Sequence, residues 1–153
     1  MVMLEIKIKT FNELSTIEFY QIGKLRIDVF VVEQQCPYHE LDSHDTDYNT
    51  QHVMIYQNQS LAGYARCLKP SATFEGAAIG RVVVASAARG QGIAHLLMNT
   101  AIKHTDLVWP HSDIFISAQS YLLKFYSGLG FEVCSEPYLE DGIAHQDMKL
   151  KKR

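Results

Sequence analysis

Chemistry concentrates first in one stretch, VVVASAARGQGIAHLLMNTAIKH, residues 82–104. A β-branched run ends, a short link carries Arg89, and Gly90 and Gly92 flank Gln91 just where an amphipathic pattern begins. Glycine is among the poorest helix formers, so two of the chain's nine glycines at a helix start need a reason. The first turn of a helix has backbone N–H groups without partners, and with the macrodipole they favour an anion. Glycine removes the side chains that would block a bulky phosphate, and Arg89 adds a charge-assisted donor. The turn therefore reads as a pyrophosphate cradle, with a tight, ligand-free strand-to-helix turn as the plain alternative. It is not a dinucleotide fingerprint, because His95 stands where the third Gly or Ala belongs, nor a Walker loop, which needs Gly-Lys followed by Ser or Thr.

The elements that must hold this turn follow from periodicity. Residues 3–9 alternate and read as a strand. Ser15 with Glu18 forms a capping-box pattern, so a helix is expected through about Val31, with Ile17, Tyr20, Leu25, Val29 and Val32 facing inward. Residues 36–50 read as a polar, solvated loop rich in acids. HVMIYQ (52–57) and LAGYARCLK (61–69) flank the turn Asn58-Gln59-Ser60 as a hairpin. A strand over 78–85, a helix over 90–104 and a strand over 113–118 follow. A short helix over 120–127 comes next, with a left-handed C-terminal cap at Gly128, and strands over 131–134 and 144–151 close the chain. Ile93, Leu96, Leu97, Ala101 and His104 mark the inner face of the long helix. Two strand–helix–strand crossovers imply parallel pairing in part of one mixed α/β sheet.

Composition sets the bounds. A chain of 153 residues with 47% hydrophobic and 20% charged residues suits one ordinary domain spanning 1–153. A net charge of −3 argues against a nucleic-acid partner. No apolar run approaches a membrane span, and the N-terminus lacks a signal-peptide core. Three scattered cysteines, Cys36, Cys67 and Cys134, suggest free thiols in a reducing, cytoplasmic setting. Asp45-x-Asp47-x-Asn49 resembles the start of a calcium loop, but Thr50 and Tyr56 stand where glycine and glutamate are required. His39 and His44 show no zinc spacing, so no metal is expected.

Arg89-Gly90-Gln91-Gly92-Ile93-Ala94 resembles the acetyl-coenzyme A signature of the GCN5-related N-acetyltransferases (GNAT). VFVVEQQCPYHELD (29–42), IGRVVV (79–84), AQSYLLKFY (118–126) and EDGIAH (140–145) are similar to the blocks of the ElaA-like subgroup, in order and over about residues 5–150. The resemblance implies the GNAT fold: a mixed, mostly antiparallel sheet of about six to seven strands with a splayed central parallel pair, flanked by helices. It implies an N-acetyltransferase that carries acetyl from acetyl-coenzyme A to a primary amine by direct attack in a ternary complex. By the same resemblance Val82, Val83 and Val84, residues 89 to 94, Gln119 and Phe125 bind the coenzyme. Tyr126 occupies the place of the family's general acid. Many relatives place a glutamate on the strand where this chain has Ile79-Gly80-Arg81-Val82. His145 is then the leading base, with a water chain as alternative. Arg26, Glu33, Arg66 and Arg81 are candidates for the acceptor pocket; a structural ion pair between Arg26 and Glu33 is the competing reading. A coenzyme A-sensing domain without turnover and an acyl-homoserine-lactone-synthase-like enzyme are the rival functions, and a homodimer is permitted by strands near the C-terminus.

Overall fold

The computed structural model describes residues 2–153. Its strands are β1 (Leu4–Lys9), β2 (Gln51–Gln57), β3 (Ser60–Leu68), β4 (Ala77–Val84), β5 (Ile114–Gln119), β6 (Glu132–Val133), β7 (Tyr138–Glu140) and β8 (Ile143–Leu150). They form one sheet in the order β1-β2-β3-β4-β5-β8-β6, with β7 also paired to β8. Every pairing is antiparallel except β4 with β5. Only one of the two expected crossovers therefore yields a parallel pair: β6 lies beyond β8 rather than beside β5. β7, absent from the sequence reading, makes a hairpin with β8 across Asp141 and Gly142, both of which have positive φ.

Both faces of the sheet are covered, so β2 and β3 are buried nearly end to end rather than alternating. One face carries α2 (Ile93–Val108), whose Ile93, Leu97, Met98 and Ala101 pack on Val53, Ala65, Cys67 and Ile79. The other carries α1 (Thr16–Arg26), whose Ile22 and Leu25 pack with Met54, Tyr56, Tyr64 and Val83. The capping box at Ser15 and Glu18 is present. Glu18 is nevertheless buried: burial raises its pKa, but the Ser15 amide and the Lys9 and Lys7 ammonium groups win and hold it at about 2.

The inner face of α1 differs from the expected one. Ile17, Tyr20 and Val32 are exposed, while Glu18, Ile22, Leu25, Arg26 and Val29 turn inward. Two of these inward residues carry charge, so a purely apolar search for the buried face is misled. In addition α1 continues as a π-helical turn over Ile27–Glu33, whose wider pitch moves Val32 off the buried line. α2 starts at Ile93 rather than Gly90 and runs to Val108, and Thr105 replaces His104 on its buried side. After α3 (Leu123–Ser127), Gly128 is right-handed at φ −62; the left-handed residue is Gly130 at φ +100.

The acidic loop is not a solvated loop. Arg26 is fully enclosed and donates from Nε to Glu40 at 2.7 Å and from Nη1 to Asp45 at 2.6 Å. Arg66 donates to Asp42 and Asp45, and Arg81 to Glu40. Three guanidinium groups thus meet three carboxylates beneath the sheet end. Burial raises the Asp45 carboxyl pKa, but Arg26 outweighs it and holds the group at about 2. His52, buried against Tyr64 and the Asp45 carbonyl, is depressed by desolvation to about 4 and is neutral at physiological pH. Among the described residues no helix is long and apolar enough to cross a membrane.

Breaking a buried ion pair from one side strands the other charge. Arg26→Ala is therefore expected to lower the unfolding free energy by about 3–5 kcal/mol, read as a shifted urea midpoint; a loss under about 1 kcal/mol contradicts the network's role. Because the folded pKa of Asp45 lies below its ordinary value of 3.8, its contribution is present above that value and is lost as pH falls toward about 2. Acid titration of stability should show this loss in the parent and not in Asp45→Asn.

Candidate functional site

β4 and β5 pair only at Ala77 with Ile114 and Ala78 with Phe115. Beyond Ala78 their ladder stops. Between Gly80 and Val83 β4 then bulges: Tyr64 faces Val83 and Arg66 faces Gly80, so β4 carries one residue more than β3 over this span. Arg81 takes the strained position, at φ +52. The Ala85 N–H donates to the Ala62 carbonyl at 2.8 Å. Alternation along the strand then turns the peptide groups of Val83 toward β3 and those of Val82 and Val84 into the gap. Of the three valines, Val83 thus spends its backbone inside the sheet, although all three line the cavity. The Val84 carbonyl accepts from Arg89 Nε at 3.2 Å.

The gap opens into a cavity of about 1000 Å³. At one end lies the Gly90–Ala94 turn. Gly90 and Gly92 have φ of +76 and +79, and a Cβ on either would meet nothing within 4 Å. No acceptor among the described residues takes the N–H groups of Gly90, Gln91, Gly92, Ile93 or Ala94, and Gly92 caps α2 without a side-chain bond. Five unpartnered amides, a helix start and side-chain-free space fit a diphosphate. Arg89 is held by Glu33 through both carboxylate oxygens, at 2.8 and 3.0 Å, and both residues are half-exposed. The Gln91 side chain meets Gln57 at 2.7 Å.

Tyr126 of α3 lines the same cavity and is 6% exposed. Its ring meets Phe125 and Phe131 edge-on, and Phe125 also meets His95. Its hydroxyl has no hydrogen-bond partner among the described residues, and burial pushes its pKa up to about 12. The phenol therefore keeps its proton at neutral pH.

His145 sits on β8, opposite Gln119 of β5 and Tyr138 of β7, and also lines the cavity. Its Nδ1 lies 2.7 Å from the Ile143 carbonyl. A carbonyl only accepts, so in the neutral ring the proton is on Nδ1 and Nε2 has the free lone pair. Tyr138 stacks on this imidazole and bonds Ser117 and Asp147. Gln119 bonds Gln34 at 3.3 Å.

The expected acceptor residues divide. Arg66 and Arg81 line the cavity, and so does Glu33, which pairs with Arg89 rather than Arg26. Arg26 is fully enclosed and does not line the cavity; it is structural, as the competing reading had it, but its partners are Glu40 and Asp45 rather than Glu33. Tyr38, Tyr138, Glu140 and Asp147 line the cavity although they did not emerge from the sequence as site residues. Of these, Tyr38 and Glu140 were within reach, because they fall in the blocks VFVVEQQCPYHELD and EDGIAH.

Residues 20–152 match the family model described as an acetyltransferase (GNAT) domain. The chain belongs to the GNAT acyltransferase family. Within it the chain is ElaA-like: it is 38% identical to protein ElaA of Escherichia coli over 146 residues, 95% of each chain. It superposes on the crystal structure of Escherichia coli ElaA with a TM-score of 0.92 at 36% identity, covering 97% of this chain and 100% of that one. An acyl-CoA N-acyltransferase from Pseudomonas aeruginosa gives 0.91 at 40% identity, covering 96% and 99%. Membership carries the general chemistry of a GNAT-fold acyltransferase that draws on an acyl-coenzyme A.

A side chain on Gly90 and Gly92 together would fill the cradle, at a backbone cost of about 1–3 kcal/mol each. Gly90→Val/Gly92→Val should unfold cooperatively in urea yet lose coenzyme A affinity at least a hundredfold by calorimetry. Unchanged affinity contradicts the cradle.

Proposed function

We propose that the protein transfers an acetyl group from acetyl-coenzyme A to a primary amine within a ternary complex. The observation that carries this reading is continuity: free amides at 90–94, the Val82 and Val84 backbone that has no partner strand, and the Tyr126 phenol share one cavity. Acetyl-coenzyme A supplies an activated acyl group. The amides of residues 90–94 hold its diphosphate, with Arg89 swinging from Glu33 to add charge. The Val82 and Val84 peptide groups pair with the extended arm as an added strand would. Phe125 and Gln119 flank the arm.

The acceptor arrives as an ammonium ion and must lose a proton before its nitrogen has a lone pair. His145 Nε2, 3.6 Å from a Glu140 carboxylate oxygen that would steady the protonated ring, is the base on the cavity wall, in the tautomer fixed by the Ile143 carbonyl. In the exchange the nitrogen–carbon bond of the amide forms and the carbon–sulfur bond of the thioester breaks. One proton leaves the nitrogen to His145, a second is released on collapse, and the departing sulfur takes one from Tyr126, which solvent restores. Burial keeps that phenol protonated until it is needed. The products are the amide and the free thiol.

Tyr126→Phe removes the donated proton and leaves the ring in place. It should lower the rate of thiol release from acetyl-coenzyme A at least tenfold with coenzyme affinity within twofold of the parent. Full turnover in that variant contradicts the acid role.

A further inference from the structure

The inner end of the cavity is built of charge whose bonding is incomplete. Arg66, 4% exposed, lines it and spends Nη1 and Nη2 on Asp42 and Asp45. Its Nε is one of only two buried side-chain polar atoms without a partner among the described residues. A charged donor left bare in a protein interior is costly, and such an atom calls for an explanation. Cross-strand from it is Gly80, next to the bulge residue Arg81. Arg81 spends Nε and Nη2 on Glu40 and Asp42, and its Nη1 has no acceptor among the described residues. Its backbone is left-handed, a strained conformation for a residue with a side chain, and that side chain lines the cavity at 24% exposure. Two guanidinium groups on neighbouring strands thus each keep an N–H without an acceptor: that of Arg81 Nη1 belongs to a partly exposed side chain of the cavity wall, while Arg66 Nε is sealed from solvent. The wall reached through β8 has the opposite character: Glu140 and Asp147 line the cavity beside His145.

Resting on the acetyl-transfer reading above, we infer that the acceptor is a zwitterion, an amine bearing a carboxylate. The carboxylate takes the spare Arg81 Nη1 donor at the wall, and a small side-chain shift opens the sealed Arg66 Nε to its second oxygen. The ammonium lies toward Glu140, Asp147 and the His145 base. The three arginines of the network are matched by Glu40, Asp42 and Asp45, so the subsite attracts through directed donors rather than through net charge. It therefore favours a planar two-oxygen group over a simple anion. A polyamine leaves both reserved donors bare and meets two guanidinium groups with a second positive charge.

The test is a thiol-release assay with matched pairs that differ only in the carboxylate: β-alanine with β-alaninamide, 4-aminobutyrate with butylamine, lysine with cadaverine. For at least one pair the carboxylated member should have kcat/KM at least tenfold higher. In Arg81→Gln that ratio should fall at least fivefold, whatever the absolute rate. The comparison in the unaltered protein stands even if the variant fails to fold. Thiol release that is equal or faster with the uncarboxylated member of every pair overturns the inference while leaving acetyl transfer intact, as does an undiminished ratio in a folded Arg81→Gln. Absence of release with every amine, in protein that still binds coenzyme A, overturns the acetyl-transfer reading itself.

Discussion

Two adjacent parallel strands normally satisfy each other's backbone along their length. Here β4 and β5 do so for two residue pairs and then part, leaving the inward peptide groups of Val82 and Val84 without a strand to bond. Unpaired backbone inside a protein is costly, so the gap persists only because neighbouring elements enforce it. The extra residue at Arg81 bends β4. The Arg81 guanidinium ties that bend to Glu40, which Arg26 in turn anchors to the underside of α1. The ion network is therefore the buttress of the gap, and the cavity, the cradle and the phenol are arranged around what the gap leaves open.

The same arginines act at two levels. Arg26 is wholly internal and does structural work, while Arg66 and Arg81 share its carboxylates, line the cavity and each keep a donor unspent, that of Arg66 sealed and that of Arg81 on a partly exposed side chain. Six charges at a sheet end are an expensive way to stabilise a fold. The expense is intelligible if the inner pair also reads the acceptor. Glu33 and Arg89 form a looser counterpart at the outer end: a half-exposed pair close to the cradle, of the kind worth about 1 kcal/mol or less, easily exchanged for a phosphate.

Much of this was legible in the residues. Alternation and glycine placement located the hairpin at Asn58 and Gln59, both left-handed in the structure, and the start of α2 to within three residues. The glycine turn stood out because glycine has no business at a helix start unless space or positive φ is required, and both Gly90 and Gly92 have it. What stayed hidden was long-range pairing of charge. Glu40, Asp42 and Asp45 look like a solvated loop until Arg26, Arg66 and Arg81 are brought to them from three other elements. The exposed Ile17, Tyr20 and Val32 were misassigned for the same reason, since a helix that buries Glu18 and Arg26 does not announce its inner face by apolar spacing, and the π-helical turn then shifts the phase.

The account is tested most directly by a crystal structure of the protein with coenzyme A. It predicts diphosphate oxygens within about 2.7–3.2 Å of amide nitrogens between Gly90 and Ala94, the arm bonded to the Val82 and Val84 backbone in the gap, and the sulfur beside the Tyr126 hydroxyl. Coenzyme bound elsewhere, or a gap closed by continued pairing of β4 with β5, contradicts it.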